Sequence, residues 1–181
     1  MDPILARQTV GVMGSGTTEH DLLARELGRT LAEFDVNLLT GGGAGVMLAV
    51  SRAFVQSRRS RGICIGVIPC ASEADRASPR PGYPNPHVEP AIRTHLPRSG
   101  EQGTDDLSRN HINVLSCAAI VALPGGPGTA AEVALAIRYG KPLVVYSPDA
   151  SAVAHFPAAA RRVRSIDDVA AFLRTCLARN E

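Results

Sequence analysis

The stretch VNLLTGGGAGVMLAV, Val36 to Val50, decides the fold. Val36 to Thr40 is a short apolar run, and Gly41, Gly42 and Gly43 end it, as they would end a buried strand. Ala44 to about Gln56 then sets Val46, Met47, Val50, Ala53 and Phe54 at helical spacing. A strand therefore enters a helix through a glycine-rich turn. The same order recurs at Ala119–Leu123 (AIVAL), then PGGPGT, then a helix from Ala130 to Tyr139. It recurs upstream too, where Thr9–Met13 (TVGVM) and Gly14-Ser15-Gly16 precede a helix over Glu19–Phe34. There Leu22, Leu23, Leu27, Leu31 and Phe34 form one stripe.

Further strands are expected at Ile63–Ile68 and Pro142–Tyr146, and helices at Asp106–Cys117 and Ser165 to about Arg179. Leu107, Ile112 and Leu115 mark the first helix. Ser165 as N-cap, with Asp167 and Asp168 in the first turn, marks the second. Between Pro69 and about Asp105 periodicity stops, with prolines at 79, 81, 84, 86, 90 and 97. An irregular segment that long inside a compact domain is usually functional. His87–Thr94 is the one place in it for a short edge strand. Apolar strands alternating with helices predict a Rossmann-like α/β fold: a parallel sheet covered by helices on both faces, one domain over residues 1–181.

Composition sets bounds. The 181 residues are 45% hydrophobic and 20% charged, which fits a globular chain rather than a disordered one. A net charge of +2 gives no reason to expect nucleic acid. No apolar run is long enough to cross a bilayer, and the first residues lack a signal-peptide profile, so a cytoplasmic location is expected. The cysteines, Cys64, Cys70, Cys117 and Cys176, form no CxxC pair and no zinc spacing. Neither disulfide, metal nor cofactor is assigned. Lys141 is the only lysine, so any Schiff-base chemistry rests on it alone. It lies in the helix-to-strand turn YGKP, expected at the sheet edge away from a ligand.

Ligands of open α/β sheets bind beyond the carboxyl ends of the strands. Three glycine-rich turns leave those ends here. Glycine lets backbone approach a phosphate closely, and helix N-terminal N–H groups point at it. Gly14, Ser15, Gly42, Gly43, Gly45, Met47, Gly125, Gly126, Gly128 and Thr129 are the expected ligand and phosphate contacts. A Walker loop is excluded, because no glycine-lysine-serine/threonine run exists. The dinucleotide fingerprint fails as well. Glu19 occupies its third glycine position, and Asp35 precedes the second strand instead of ending it.

TGGGAGVM (Thr40–Met47) and PGGPGTAAE (Pro124–Glu132) resemble the paired signatures of the LONELY GUY (LOG) family, often labelled "lysine decarboxylase". The resemblance covers about residues 9–147, apart from the proline-rich middle. It implies a homodimer that cleaves the N-glycosidic bond of a nucleoside 5′-monophosphate, giving free base and ribose 5-phosphate. It assigns catalysis to Arg109 and Glu132. Three positions depart from the family pattern: Asn110 stands for a lysine, Ala131 for a glutamate and Ala118 for an aspartate. In these the chain is more similar to a divergent branch that includes molybdenum cofactor carrier proteins, which bind a pterin phosphate without cleaving a nucleotide.

Two readings follow. The first is a phosphoribohydrolase, with Glu132 meeting the charge that builds on the ribose and Arg109 gripping phosphate or ribose hydroxyls. The alternative is a non-catalytic carrier or sensor for a nucleotide or molybdopterin. In both the partner is a small nucleotide-type phosphate. Thr129-Ala130-Ala131-Glu132 also spells a capping box, which gives Glu132 a structural role beside the chemical one. His111 reads as structural, and His87 and His95 as groups that either touch a base or touch nothing. Ala49, Ala53 and Phe54 are the expected dimer face.

Overall fold

The computed structural model describes residues 7–178. Its strands are β1 (Gln8–Met13), β2 (Val36–Thr40), β3 (Cys64–Ile68), β4 (Ala91–Arg93), β5 (Ala119–Ala122), β6 (Leu143–Tyr146) and β7 (Arg162–Val163). Its α-helices are α1 (Asp21–Leu31), α2 (Val46–Val55), α3 (Asn110–Leu115), α4 (Pro127–Arg138) and α5 (Ile166–Leu177). The strands form one sheet in the order β4-β3-β2-β1-β5-β6-β7, and every neighbouring pair is parallel.

Strand pleating divides the core in two. Val10, Val12, Leu38, Val121 and Val144 point to one face, where Leu27 and Leu31 of α1, Val50 and Phe54 of α2, and Leu173 of α5 cover them. Met13, Leu39, Ile120 and Val145 point to the other, under Val114 of α3 and Val133 and Leu135 of α4. Leu27, Leu31, Leu38 and Phe54 are fully buried, each contributing roughly 1.5–3 kcal/mol of hydrophobic stabilisation. This is the doubly covered parallel sheet expected of the sequence. β7 is additional to it, a strand too short to leave a periodic signal.

The order reverses at β1. From β1 the chain steps outward through β2, β3 and β4, then returns to β5 on the other side of β1. The carboxyl ends of β1 and β5 therefore flank the switch point, where such sheets open a crevice.

Several boundaries need correction. Helix α1 starts at Asp21, and Leu22 is 81% exposed. The buried face of α1 is Ala24, Leu27, Gly28 and Leu31, and Leu22 lies about 200° round the helix from Ala24. Helix α3 is six residues long. Its exposed side carries Ile112 and Leu115 and its buried side Asn110, Asn113 and Val114. Ile112 and Leu115 of the expected stripe therefore face outward, because Asn110 and Asn113 take most of the inward side beside Val114. Helix α4 begins at Pro127 with Gly126 as N-cap, so no capping box forms at Thr129. Proline's fixed φ suits the first helical position and moves the start forward. Helix α5 keeps Ser165 as N-cap, its hydroxyl accepting from the Asp168 N–H at 3.2 Å. Its last expected residue, Arg179, lies outside the described residues.

The expected dimer face is also corrected. Ala49, Ala53 and Phe54 are buried within the chain itself. α1 approaches α2 so closely that a methyl group at Gly28 would lie 2.7 Å from Ala53 Cβ.

Candidate functional site

A cavity of about 310 Å³ opens at the switch point. Of the expected site residues it is lined by Gly14, Ser15, Met47, Arg109, Gly126, Gly128, Thr129 and Glu132. Gly42, Gly43, Gly45 and Gly125 are close by in sequence but stay outside the lining. A larger groove of about 610 Å³ lies between α1 and α2. Surface arginines and acids line it, and it lies away from the strand ends where buried polar groups collect.

The glycine-rich turns differ in what they face. At the start of α2, the Val46 N–H is taken by Ser15 O at 2.8 Å. Gly45 sits at φ +62°, where a side chain would run into the backbone of Ser15 and Gly16. Ser15 in turn donates its N–H to Pro124 O at 3.1 Å, and its Oγ accepts from the Thr17 and Thr18 N–H groups at 3.2 and 2.9 Å. The β1 turn thus ties the other two turns together. At the start of α4 the first amide to bond back is Ala130, to Gly126 O at 3.0 Å. The Gly128 and Thr129 amides precede it, beside the cavity, where a helix start favours an anion.

Arg109 sits just before α3 and is only 5% exposed. Its Nε and Nη1 are buried and have no hydrogen-bond partner among the described residues. The guanidinium packs against Gly41, where a methyl group would fall 2.6 Å from Nη2 and 2.7 Å from Nη1. Glu132, 8% exposed, accepts a hydrogen bond from Asn113 Nδ2 at 3.0 Å through Oε1. Burial pushes its carboxyl well above the usual range, while Arg109 and Asn113 pull the other way. Arg109 and Glu132 make no ion pair within 4.0 Å.

The proline-rich segment supplies the outer wall, with Tyr83, Ser99 and Gly100. Asn85 anchors it. The Asn85 N–H donates to Gly42 O at 2.7 Å and its Nδ2 to Gly43 O at 2.9 Å. Arg80 ties the segment's far end, donating to Ser99 Oγ at 2.9 Å and Pro97 O at 2.6 Å. Sequence reasoning missed Tyr83, Ser99, Gly100, Gly41, Thr17 and Asn110, all of which line the cavity. Only the length of the irregular segment hinted at the first three. His87 lies by a different cleft, near Cys64 and Glu89, and His95 is exposed and outside the lining. His111 is held by Tyr139 Oη at 2.7 Å and Asp105 O at 3.0 Å, as a structural histidine would be. Lys141 Nζ donates to Leu115 O and Cys117 O, both at 2.8 Å, at the amino end of β5. It is thus at the sheet edge opposite the cavity, which rules it out as a Schiff base there.

The arrangement sets three features around one cavity. It combines an open helix start, a buried guanidinium with unused donors and a buried carboxyl that burial holds toward its protonated form. Among the described residues, no three His, Cys, Asp or Glu side chains gather as a metal site would.

Comparison with known proteins places this geometry. The model of the SLOG cluster4 family matches residues 7–172. The molybdenum cofactor carrier protein of Chlamydomonas reinhardtii superposes with a TM-score of 0.71 at 30% identity, covering 96% of this chain and 99% of its own. The molybdenum cofactor binding protein of Rippkaea orientalis gives a TM-score of 0.71 at 27% identity, covering 96% of this chain and 99% of its own. In sequence, an uncharacterized protein of Archaeoglobus fulgidus is 26% identical over 141 residues, covering 77% of this chain and 80% of its own.

Proposed function

The chain belongs to the SLOG cluster4 family, and from that premise we propose that it binds a pterin phosphate of the molybdenum-cofactor type and holds it intact, as a carrier. The observation that carries this reading is the Arg109 guanidinium, buried with Nε and Nη1 unpartnered among the described residues. A buried cation costs several kcal/mol unless it is compensated, and burial disfavours the charge of neighbouring Glu132, so the pocket favours an incoming anion. A guanidinium with unused N–H donors suits a phosphate, and the α4 start adds backbone donors. The structural likeness to two molybdenum cofactor proteins supports the same ligand class.

The departures from the hydrolase pattern fit a carrier. Gly103 backbone packs so tightly on Ala131 that a methyl group at Gly103 would lie 2.6 Å from Ala131 Cβ. A second reading, nucleotide hydrolysis, is favoured by one observation: Arg109 and Glu132 line the same cavity. Glu132 would then act as the acid–base group.

The test is retention. The protein is mixed with molybdenum cofactor released from a molybdoenzyme and passed through a desalting column. Pterin and molybdenum are then measured in the protein fraction. Wild type should retain both, and Arg109→Met should retain at least about tenfold less, the scale of a charge-assisted hydrogen bond. No retention by wild type, or equal retention by the variant, would overturn the reading. The family resemblance further implies a dimer. Light scattering near twice the 19.0 kDa chain mass would support the dimer, and a monomer at micromolar concentration would remove it.

A further inference from the structure

We infer that Tyr83 is the residue that reads the ring of the bound molecule, so that the cavity selects a planar heterocycle carrying a phosphate over a phosphate alone. The inference rests on the anion site proposed above. It begins with a contrast among the three tyrosines. Tyr139 uses its hydroxyl on His111 at 2.7 Å, and Tyr146 donates to Glu26 at 2.5 Å. Tyr83 has no such partner among the described residues and lines the cavity. It is also the only aromatic side chain in that lining.

Its ring is held in place. A methyl group at Gly43 would lie 2.6 Å from Tyr83 Cζ and 2.7 Å from Cε1 and the hydroxyl, so the ring rests on Gly43. Asn85 clamps the same segment to Gly42 and Gly43 by the two hydrogen bonds given above. Gly41 seats the guanidinium and Gly43 the ring. Two residues of chain span at most about 7 Å. One turn therefore presents a cation and an aromatic surface side by side. That pair of surfaces fits a ligand with an anionic group at one end and a flat ring at the other. An aromatic ring accepts any base by its π-face, so Tyr83 recognises the class of molecule rather than one base.

Calorimetry with two probes tests this, using GMP, whose guanine shares the 2-amino-4-oxopyrimidine edge of a pterin, and ribose 5-phosphate, which lacks the ring. Tyr83→Leu should weaken GMP at least about fivefold, the low end of base stacking, and ribose 5-phosphate less than about twofold. Tyr83→Phe should keep GMP within about twofold, and its retained ring checks that the leucine result is not misfolding. Unchanged GMP affinity in Tyr83→Leu overturns the inference, as does an equal loss for both probes. A loss in Tyr83→Phe equal to that in Tyr83→Leu also overturns it, by moving recognition to the hydroxyl. If wild type binds ribose 5-phosphate but GMP no more tightly, the anion site stands and the ring reader falls. If wild type binds neither, both fall.

Discussion

The turns Gly41–Gly45 and Gly125–Gly128 are almost equally rich in glycine, yet they do different work. In the first, glycine makes room for the protein's own parts: the Arg109 guanidinium on Gly41, the Tyr83 ring on Gly43 and the Ser15 backbone on Gly45. In the second, Gly125 also makes room for protein, the Thr129 hydroxyl and the Ser15 amide, but a Cβ at Gly126 would meet nothing within 4 Å, and the helix start stands open beside the cavity. A glycine run at a strand end thus marks close approach without saying what approaches. In one turn the visitor is protein, and in the other there is room for a ligand.

Substitutions should separate the two turns. The largest effect is expected at Gly45, where φ is +62° and the neighbour is backbone that cannot swing aside. Gly45→Ala should cost roughly 3 kcal/mol, adding backbone strain to overpacking. At about 2–4 °C per kcal/mol for a chain of this size, thermal melting should fall by about 6–12 °C. A melting temperature within about 2 °C of wild type would break the contrast.

Gly126→Val comes next and affects the other property. Its backbone is extended, with φ −92° and ψ −154°, and suits any residue. Stability should hold within about 1 kcal/mol, while ribose 5-phosphate affinity falls at least about tenfold as the side chain fills the anion approach. Unchanged binding by calorimetry would take the phosphate away from α4.

A smaller effect is expected at Gly43. Gly43→Ala pushes on the Tyr83 ring, which can move. GMP affinity should fall about fivefold and ribose 5-phosphate by less than twofold, as for loss of the stacking surface. Equal losses would mean that Gly43 serves the phosphate directly.

The smallest is a slope. Glu132 has a folded-state pKa above its unfolded value, because burial disfavours the charge. Its contribution to stability is therefore fully present below the unfolded pKa and is lost as pH rises through the folded one. Glu132→Gln carries no charge to bury. Its stability relative to wild type, from urea unfolding, should rise as pH increases from acid to neutral. A gap independent of pH would show that the carboxyl is not held toward its protonated form.

The sheet was legible because buried parallel strands are apolar along their whole length, and Val36–Thr40 and Ala119–Leu123 read so without ambiguity. The site was half legible. Gly126, Gly128, Thr129, Arg109 and Glu132 belong to motifs with spacing, and all line the cavity. Helix α3 misled, because periodicity assumes that the buried face is apolar, and here Arg109, Asn110 and Asn113 face inward. Thr129 and Glu132 have capping-box spacing, but Pro127 starts the helix before it can apply. Tyr83 was invisible. It reaches the cavity through tertiary bonds of Asn85 and Arg80 across an irregular segment, and no local pattern encodes those.

On the reading proposed above, the cavity binds a phosphate-bearing ligand at Arg109 and α4 and leaves it intact. Phosphorus NMR of GMP mixed with the protein tests both halves in one spectrum. The expected result is a GMP resonance shifted or broadened by wild type, restored to its free position with Arg109→Met, and no ribose 5-phosphate signal over a day. A growing ribose 5-phosphate resonance would make the protein a hydrolase. A GMP resonance that wild type leaves unmoved would contradict the site itself.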